Sequence, residues 1–375
     1  MGEEAQEAQE AKAGEAEAQP NLRRLLRLDP CFFFQRKEFE GERALVQPEP
    51  EWPGRYEIHS DSIEIENLLR SELDMVVFQR HGILRGEYVV HPGGTVLFNR
   101  RGDCIVANAA SDHFRFAAML GDMVSRIDED RDTALQLWDH FHVDRGSAVM
   151  SSAYSRNYYH FTFDFAAAFS FLAAYGVQRV IMPTHCLMKT FQTDLVSRVT
   201  GAMRLVPMQV PRRVIDPVLV QSLSSATTLD WLRKATGYAA RPGSRRLYIV
   251  REEEGRVAIG NNLSEGPEIA ALLAEFGFER VNFGQGQYTV AQQVAMLEGA
   301  GLVLAVSGAN LTNLAYLSPP LVVIEVMPQH RFSALNMRTS ARLGFTHHTV
   351  VSGHFDTANN VYVDAGLLRR IIESA

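Results

Sequence analysis

Apolar positions fall into runs whose rhythm changes along this chain, and the clearest rhythm lies in its last third. Leu247-Tyr-Ile-Val250 is a short unbroken apolar run, the mark of a strand buried on both faces. Residues 267–276 then carry helical spacing, opened by Pro267 and stopped by Gly277. Arg280-Val-Asn-Phe283 reads as a strand, and residues 289–298 place Val290, Val294 and Leu297 on one helical face. Leu302-Val-Leu-Ala-Val306 is another buried strand, followed by a Ser-Gly-Ala turn, a short helix and a further strand that carries Glu325. Residues 333–343 predict a helix, 347–351 a strand and 366–372 a closing amphipathic helix. Alternation of this kind predicts an α/β fold with a parallel sheet covered by helices on both faces.

The first two thirds are less regular. Short apolar runs within 88–107 flank a polar turn at Asn99-Arg-Arg-Gly-Asp103, a pattern of strands around turns. Residues 112–142 have a helical pattern with polar residues crowded at 128–132. Residues 161–174 predict a helix, while 180–182 and 205–210 predict strands. Residues 230–236 form a helix leading into Gly237, and Arg241-Pro-Gly-Ser-Arg-Arg246 reads as a joint between domains. The boundaries expected are a tail over 1–20, a first domain over 21–240 and a second over 241–375, whose last helix is free to pack back on the first. No repeat recurs at a fixed period.

Composition sharpens this picture at two points. A chain of 375 residues, 46% of them hydrophobic, is long enough to bury two cores. The formal charge is −7, but residues 2–19 hold six Glu against Lys12, which is −5 and leaves −2 for all that follows. The remainder is thus nearly neutral, which argues against a nucleic-acid partner. The tail has no apolar stripe to bury and reads as disordered. It lacks the basic and apolar regions of a secretory signal. The apolar run over 161–175 is too short for a membrane span and contains Asp164. The three cysteines are scattered, as in a reducing compartment. A cytoplasmic protein is expected. Residues 22–34 mix arginine pairs with Leu and Phe, so contact with the inner face of a membrane stays open beside the plainer reading of an amphipathic stretch.

Four features carry candidate chemistry. Ser307, Gly308, Ala309 and Asn310 end a strand and open a helix, where backbone N–H groups point at an anion. The bland alternative is a tight turn without a ligand, and Thr312 and Asn313 are caps or ligand contacts. Glu325 lies within an apolar strand and must find partners if buried, whether sugar hydroxyls or backbone N–H groups. Arg251 closes the first strand of the second half, suited to gripping a diphosphate in two parallel hydrogen bonds or to pairing with Glu252–Glu254. His160 and Asp164 stand four apart on a helix, beside Phe161, Phe165 and Phe169. Such a pair shares general-base work or simply staples the helix. Asp128-x-Asp130-x-Asp132, His140-x-His142 and His347-His348 lack the partners of a recognisable metal motif, so neither metal nor cofactor is expected. Gly284-Gln-Gly286 is likewise a poor dinucleotide fingerprint.

Ser307-Gly-Ala-Asn-Leu-Thr-Asn313, with Pro320 and the strand reaching Glu325, resembles the signature of glycosyltransferase family 61. That signature reads His-Gly-Ala-Gly-Leu-Thr-Asn, a short helix and an apolar strand with Glu. Leu247–Arg251, Asn261 or Asn262, Gly277-Phe278, and Gln293-Val294 with Gly299-Ala300 follow the family's order. Asn157-Tyr-Tyr-His160 with Asp164 is similar to its Asn-Tyr-(Tyr/Phe)-His-Trp…Asp block. The resemblance runs over about residues 154–328. It implies a GT-B architecture, two Rossmann-like domains facing across a cleft, with the donor on the second. It also implies an inverting transfer from a nucleotide sugar, usually a UDP-sugar. The donor side would comprise Arg251, Asn262, Gln293, Ser307–Asn310, Thr312, Asn313 and, at the ribose, Glu325. Asp164 or His160 would deprotonate the glycan acceptor, and no metal would be needed. Three positions depart from the family: Ser307 for His, Asn310 for Gly and Phe161 for Trp. The function expected is a hexosyl- or pentosyltransferase of bacterial type, building surface or capsular polysaccharide. The alternatives are a non-catalytic nucleotide-sugar or glycan-binding relative and a nucleotide-sugar epimerase.

Overall fold

The structure, a computed structural model, describes residues 39–46, 55–60, 77–90, 96–101, 104–106, 127–150, 156–222, 228–250, 252–253, 256–257, 262–284, 287–357 and 360–375. The acidic tail, the 22–34 stretch and Arg251 lie outside them. Among the described residues no helix is long and apolar enough to cross a membrane.

The last third folds as its pattern predicts. Its sheet contains β1 (Arg55–His59), β2 (Arg245–Val250), β3 (Glu279–Asn282), β4 (Ala300–Val306), β5 (Val322–Pro328) and β6 (Thr346–Ser352). The spatial order is β3-β2-β4-β5-β6-β1, with every neighbouring pair parallel. Strands buried on both faces need apolar residues at every position, which is why these segments read as unbroken runs. Val303, Ala305 and Val323 face one helical layer; Leu304, Ile324 and Val350 face the other. Helix Val290–Met296 begins at a capping box, with Thr289 and Gln292 exchanging side-chain and backbone hydrogen bonds. The connector before β2 passes close to the turn before β4: a Cβ on Gly243 would stand 2.6 Å from the Gly299 carbonyl oxygen. Glycine at 243 is therefore a packing requirement.

Two findings concern the ends of the chain. β1 comes from the range 21–240, yet it forms the outer strand of the second sheet through backbone pairing with β6. The closing helix Ala365–Ser374 packs Leu368, Ile371 and Ile372 onto that same sheet. Its apolar face is needed there to cover Leu304 and Ile324, and Arg369 ties it to Glu275 at 2.6 and 2.5 Å.

The first half is mixed where a doubly wound domain would be all parallel. Its larger sheet has strands Phe39–Val46, Val77–Leu84 and Val218–Ser222 paired antiparallel, continuing through Ser147–Val149, Arg179–Pro183 and Arg204–Met208 in parallel. A second sheet contains Cys104–Val106, Val96–Asn99, Glu87–Val90, Arg212–Ile215 and Val143–Arg145, antiparallel except at its last pair. Leu84, Leu97, Ile181 and Leu219 belong to one apolar core drawing on both sheets. The largest core runs from Phe161, Phe165 and Leu172 of the first half to Val303, Leu311 and Tyr316 of the second without a break.

Candidate active site

Within the second sheet the chain goes from β2 outward to β3, then returns to the other side of β2 as β4. Setting β1 aside, this is the doubly wound order 2-1-3-4-5, and its direction reverses between β2 and β4. Open α/β sheets bind ligands at that reversal, outside the carboxyl ends of the strands. β2 ends at Val250, immediately before Arg251, and β4 ends at Val306, immediately before Ser307.

The turn after β4 is open in the way an anion needs. Ser307 N–H still extends the sheet, donating to the Val326 carbonyl at 2.8 Å. Gly308 then takes φ 156° and ψ −174°, a corner of conformational space that side-chain-bearing residues avoid. It caps a 3₁₀ helix, Ala309–Tyr316, and no side chain caps the helix start. The first N–H groups of a helix have no partner within it. All four residues from Ser307 to Asn310 are half-buried, so the turn is only partly desolvated.

His160 and Asp164 meet as their spacing predicts. His160 Nδ1 lies 2.7 Å from Asp164 Oδ2, with the side chains 26% and 13% exposed. The segment begins at Asn157, whose side chain accepts from the Tyr159 and His160 N–H groups. It is not one regular α-helix: Phe161–Ala166 widens into a π turn, closed by Ala167 N–H donating to the Thr162 carbonyl at 3.1 Å. Such turns recur at functional sites because they re-aim side chains. Phe161 stacks on Phe165 at 4.7 Å between ring centres, giving the pair an apolar floor.

The two segments are joined. Tyr158 O–H donates to Asn313 Oδ1 at 2.8 Å, and Asn313 Nδ2 donates to Gln293 Oε1 at 2.9 Å. Gln293 Nε2 reaches the Tyr288 carbonyl at 3.3 Å. Asn313, Gln293 and Thr312 are buried, so in this structure Asn313 and Gln293 brace the helix behind the turn. Burial, together with the neighbouring Tyr316, Asp194 and Tyr238, raises the pKa of Tyr158 and keeps its phenol protonated as the donor. The Asn262 backbone N–H donates to the Asn360 side-chain oxygen at 3.3 Å, and its carbonyl accepts from Val361 N–H at 2.8 Å.

Glu325 is fully buried. Asn336 Nδ2 donates to its Oε1 at 2.6 Å, and His347 Nε2 lies 3.2 Å from Oε2. His347 Nδ1 in turn meets Ser340 Oγ at 2.8 Å. The carboxylate's partners are therefore side chains from the helix Leu335–Leu343 and from β6. Sequence reasoning missed Asn336, Ser340 and the inward His347, because their meeting depends on β6 lying beside β5.

A family model described as Glycosyltransferase 61 matches residues 158–324, from Tyr158 of the brace to β5. Residues 158–324 are accordingly assigned to glycosyltransferase family 61. The matched span covers the His160–Asp164 pair, the switch point and the Ser307 turn, and it ends one residue before Glu325. The match marks this span as a glycosyltransferase domain, a class that acts between a sugar donor and an acceptor. No curated protein shows a significant match to it.

Proposed function

We propose that this chain, with its family 61 span, is an inverting transferase that moves a hexosyl or pentosyl unit from a UDP-sugar to a glycan hydroxyl. The observation that carries the reading is the His160–Asp164 pair, part-exposed and linked through Tyr158 and Asn313 to the helix that opens at the Ser307 turn. In this reading the architecture is GT-B, with the donor on the second half and the acceptor on the first. Asp164, oriented by His160, takes the proton of the acceptor hydroxyl. The acceptor oxygen bonds to the anomeric carbon as the bond from that carbon to the phosphate oxygen breaks. The leaving diphosphate carries the electron pair to the N–H groups after Ser307, donors placed where charge develops, with the Arg251 guanidinium as the balancing cation. Ser307 offers a short hydroxyl where the family has an imidazole, so the backbone and Arg251 carry more of that charge. Action at the inner face of a bacterial membrane, on surface or capsular polysaccharide, completes the proposal.

The test is transfer by the purified chain from a panel of nucleotide sugars, scored by product formation and by thermal shift. A UDP-sugar should raise the melting temperature and yield an elongated glycan, and Asp164→Ala should keep the shift while losing transfer. Full transfer by that variant would sink the assignment of the base. The departure at Ser307 favours one second reading, a non-catalytic binder. It predicts the thermal shift with no product, and activity appearing only in Ser307→His.

A further inference from the structure

One side-chain cluster has no part in the proposed transfer site. β1 and β6 run parallel with His348 opposite Glu57 and Val350 opposite His59. Side chains alternate between faces along a strand, so Glu57, His59 and His348 emerge on one face at the sheet's edge. His59 Nε2 lies 3.1 Å from His348 Nδ1, a distance at which one imidazole donates to the other. Glu57 Oε2 lies 3.7 Å from the same nitrogen of His59 and 3.6 Å from that of His348. Both values are too long for hydrogen bonds. A carboxylate oxygen almost equidistant from two ring nitrogens, and bonded to neither, leaves three donors around a common centre. Donors on a tetrahedral ion with bonds of about 2.0–2.1 Å stand roughly 3.3–3.4 Å apart. The three observed separations bracket that value.

We propose that Glu57, His59 and His348 form a binding site for a divalent transition-metal ion of the zinc class. Two imidazoles and a carboxylate are a donor set such ions take, with a fourth position left to water. The side chains grade from 6% exposed at His348 through 24% at His59 to 64% at Glu57, which puts the open position on the solvent side. Binding requires His59 to carry its proton on Nδ1 and His348 on Nε2, freeing the two facing nitrogens. Burial lowers the pKa of both imidazoles, which favours the neutral, ligating form. An ion held here clasps β1, the outermost strand, onto β6 and adds a side-chain bridge to their backbone ladder.

The test uses the full chain stripped with a chelator and titrated with Zn²⁺ alone by calorimetry. Wild-type protein should bind one ion in this site and melt several degrees higher with it. His59→Asn and Glu57→Gln, both at solvent-facing positions that should leave the fold intact, should each weaken binding at least tenfold and remove the shift. Co²⁺ in place of Zn²⁺ should give the intense visible absorption of a tetrahedral site in wild type and lose it in His59→Asn. Absence of binding by the wild type, or binding that survives both variants, overturns the proposal.

Discussion

Two of the histidine–carboxylate pairs among the described residues differ sharply in access. His160 and Asp164 lie four residues apart on one helical segment, 2.7 Å from each other and part-exposed. His347 and Glu325 come from neighbouring strands, 3.2 Å apart and wholly buried. The first pair touches its partner and still faces solvent, so it can receive a proton from something that arrives. The second has its oxygens engaged by Asn336 and His347 and is sealed between a helix and the sheet. In the proposed function the same two functional groups serve chemistry in one place and architecture in the other, and access separates them.

The largest effect that tests this contrast is on transfer. Asp164→Ala should lower the rate by about 10²–10⁴-fold, the usual worth of a positioned base. It should move the unfolding free energy by only about 1 kcal/mol, because a part-exposed pair contributes little to stability. Glu325→Ala should do the reverse in stability, costing about 3 kcal/mol or more in denaturant unfolding by leaving buried His347 and Asn336 without their acceptor. If Asp164→Ala unfolds the protein while Glu325→Ala is neutral, the two roles have been exchanged. Tyr158→Phe cuts the tie between the His160 segment and Asn313 and leaves both pairs in place. A cost of about 1 kcal/mol in thermal unfolding is expected, and a much larger one would mean that the brace also holds the pair.

The smallest effect lies away from both pairs. Tyr238 O–H donates to Asp194 at 2.6 Å, and burial with this bond pushes its pKa up to about 12. A folded-state value above the unfolded one near 10 gives stability that is complete below pH 10 and lost as pH rises towards 12. Tyr238→Phe should flatten the alkaline limb of the stability curve in that window. An unchanged limb would show that the phenol–carboxylate contact contributes nothing there.

The legibility of these features in the sequence follows from how far apart their parts lie. Helical spacing alone brings His160 beside Asp164, so that pair could be read directly. The π turn could not, since nothing in Phe-Thr-Phe-Asp-Phe-Ala distinguishes it from an α-helix. Strands buried on both faces announced the second sheet, whereas Phe39–Val46 and Val77–Leu84 mix charged with apolar residues and are strands because each supplies the other's hydrogen bonds. His347-His348 looked inert as a dipeptide. Strand alternation sends His347 to Glu325 and Ser340 on one face, and His348 to His59 and Glu57 on the other.

The sequence by itself determined the α/β class of the last third, the turn after β4, the local His160–Asp164 pair and the family signature. Each of these depends on residues within a few positions of one another or on an ordered set of short motifs. Tertiary structure alone decided the sixth strand from residues 55–59, the mixed sheets of the first half, the Tyr158–Asn313 brace and the closed surroundings of Glu325. The outer strand joins residues 291 positions apart, and the Tyr158–Asn313 brace joins residues 155 apart. Contacts that distant are selected by burial and register once the chain is compact, and no local pattern records them.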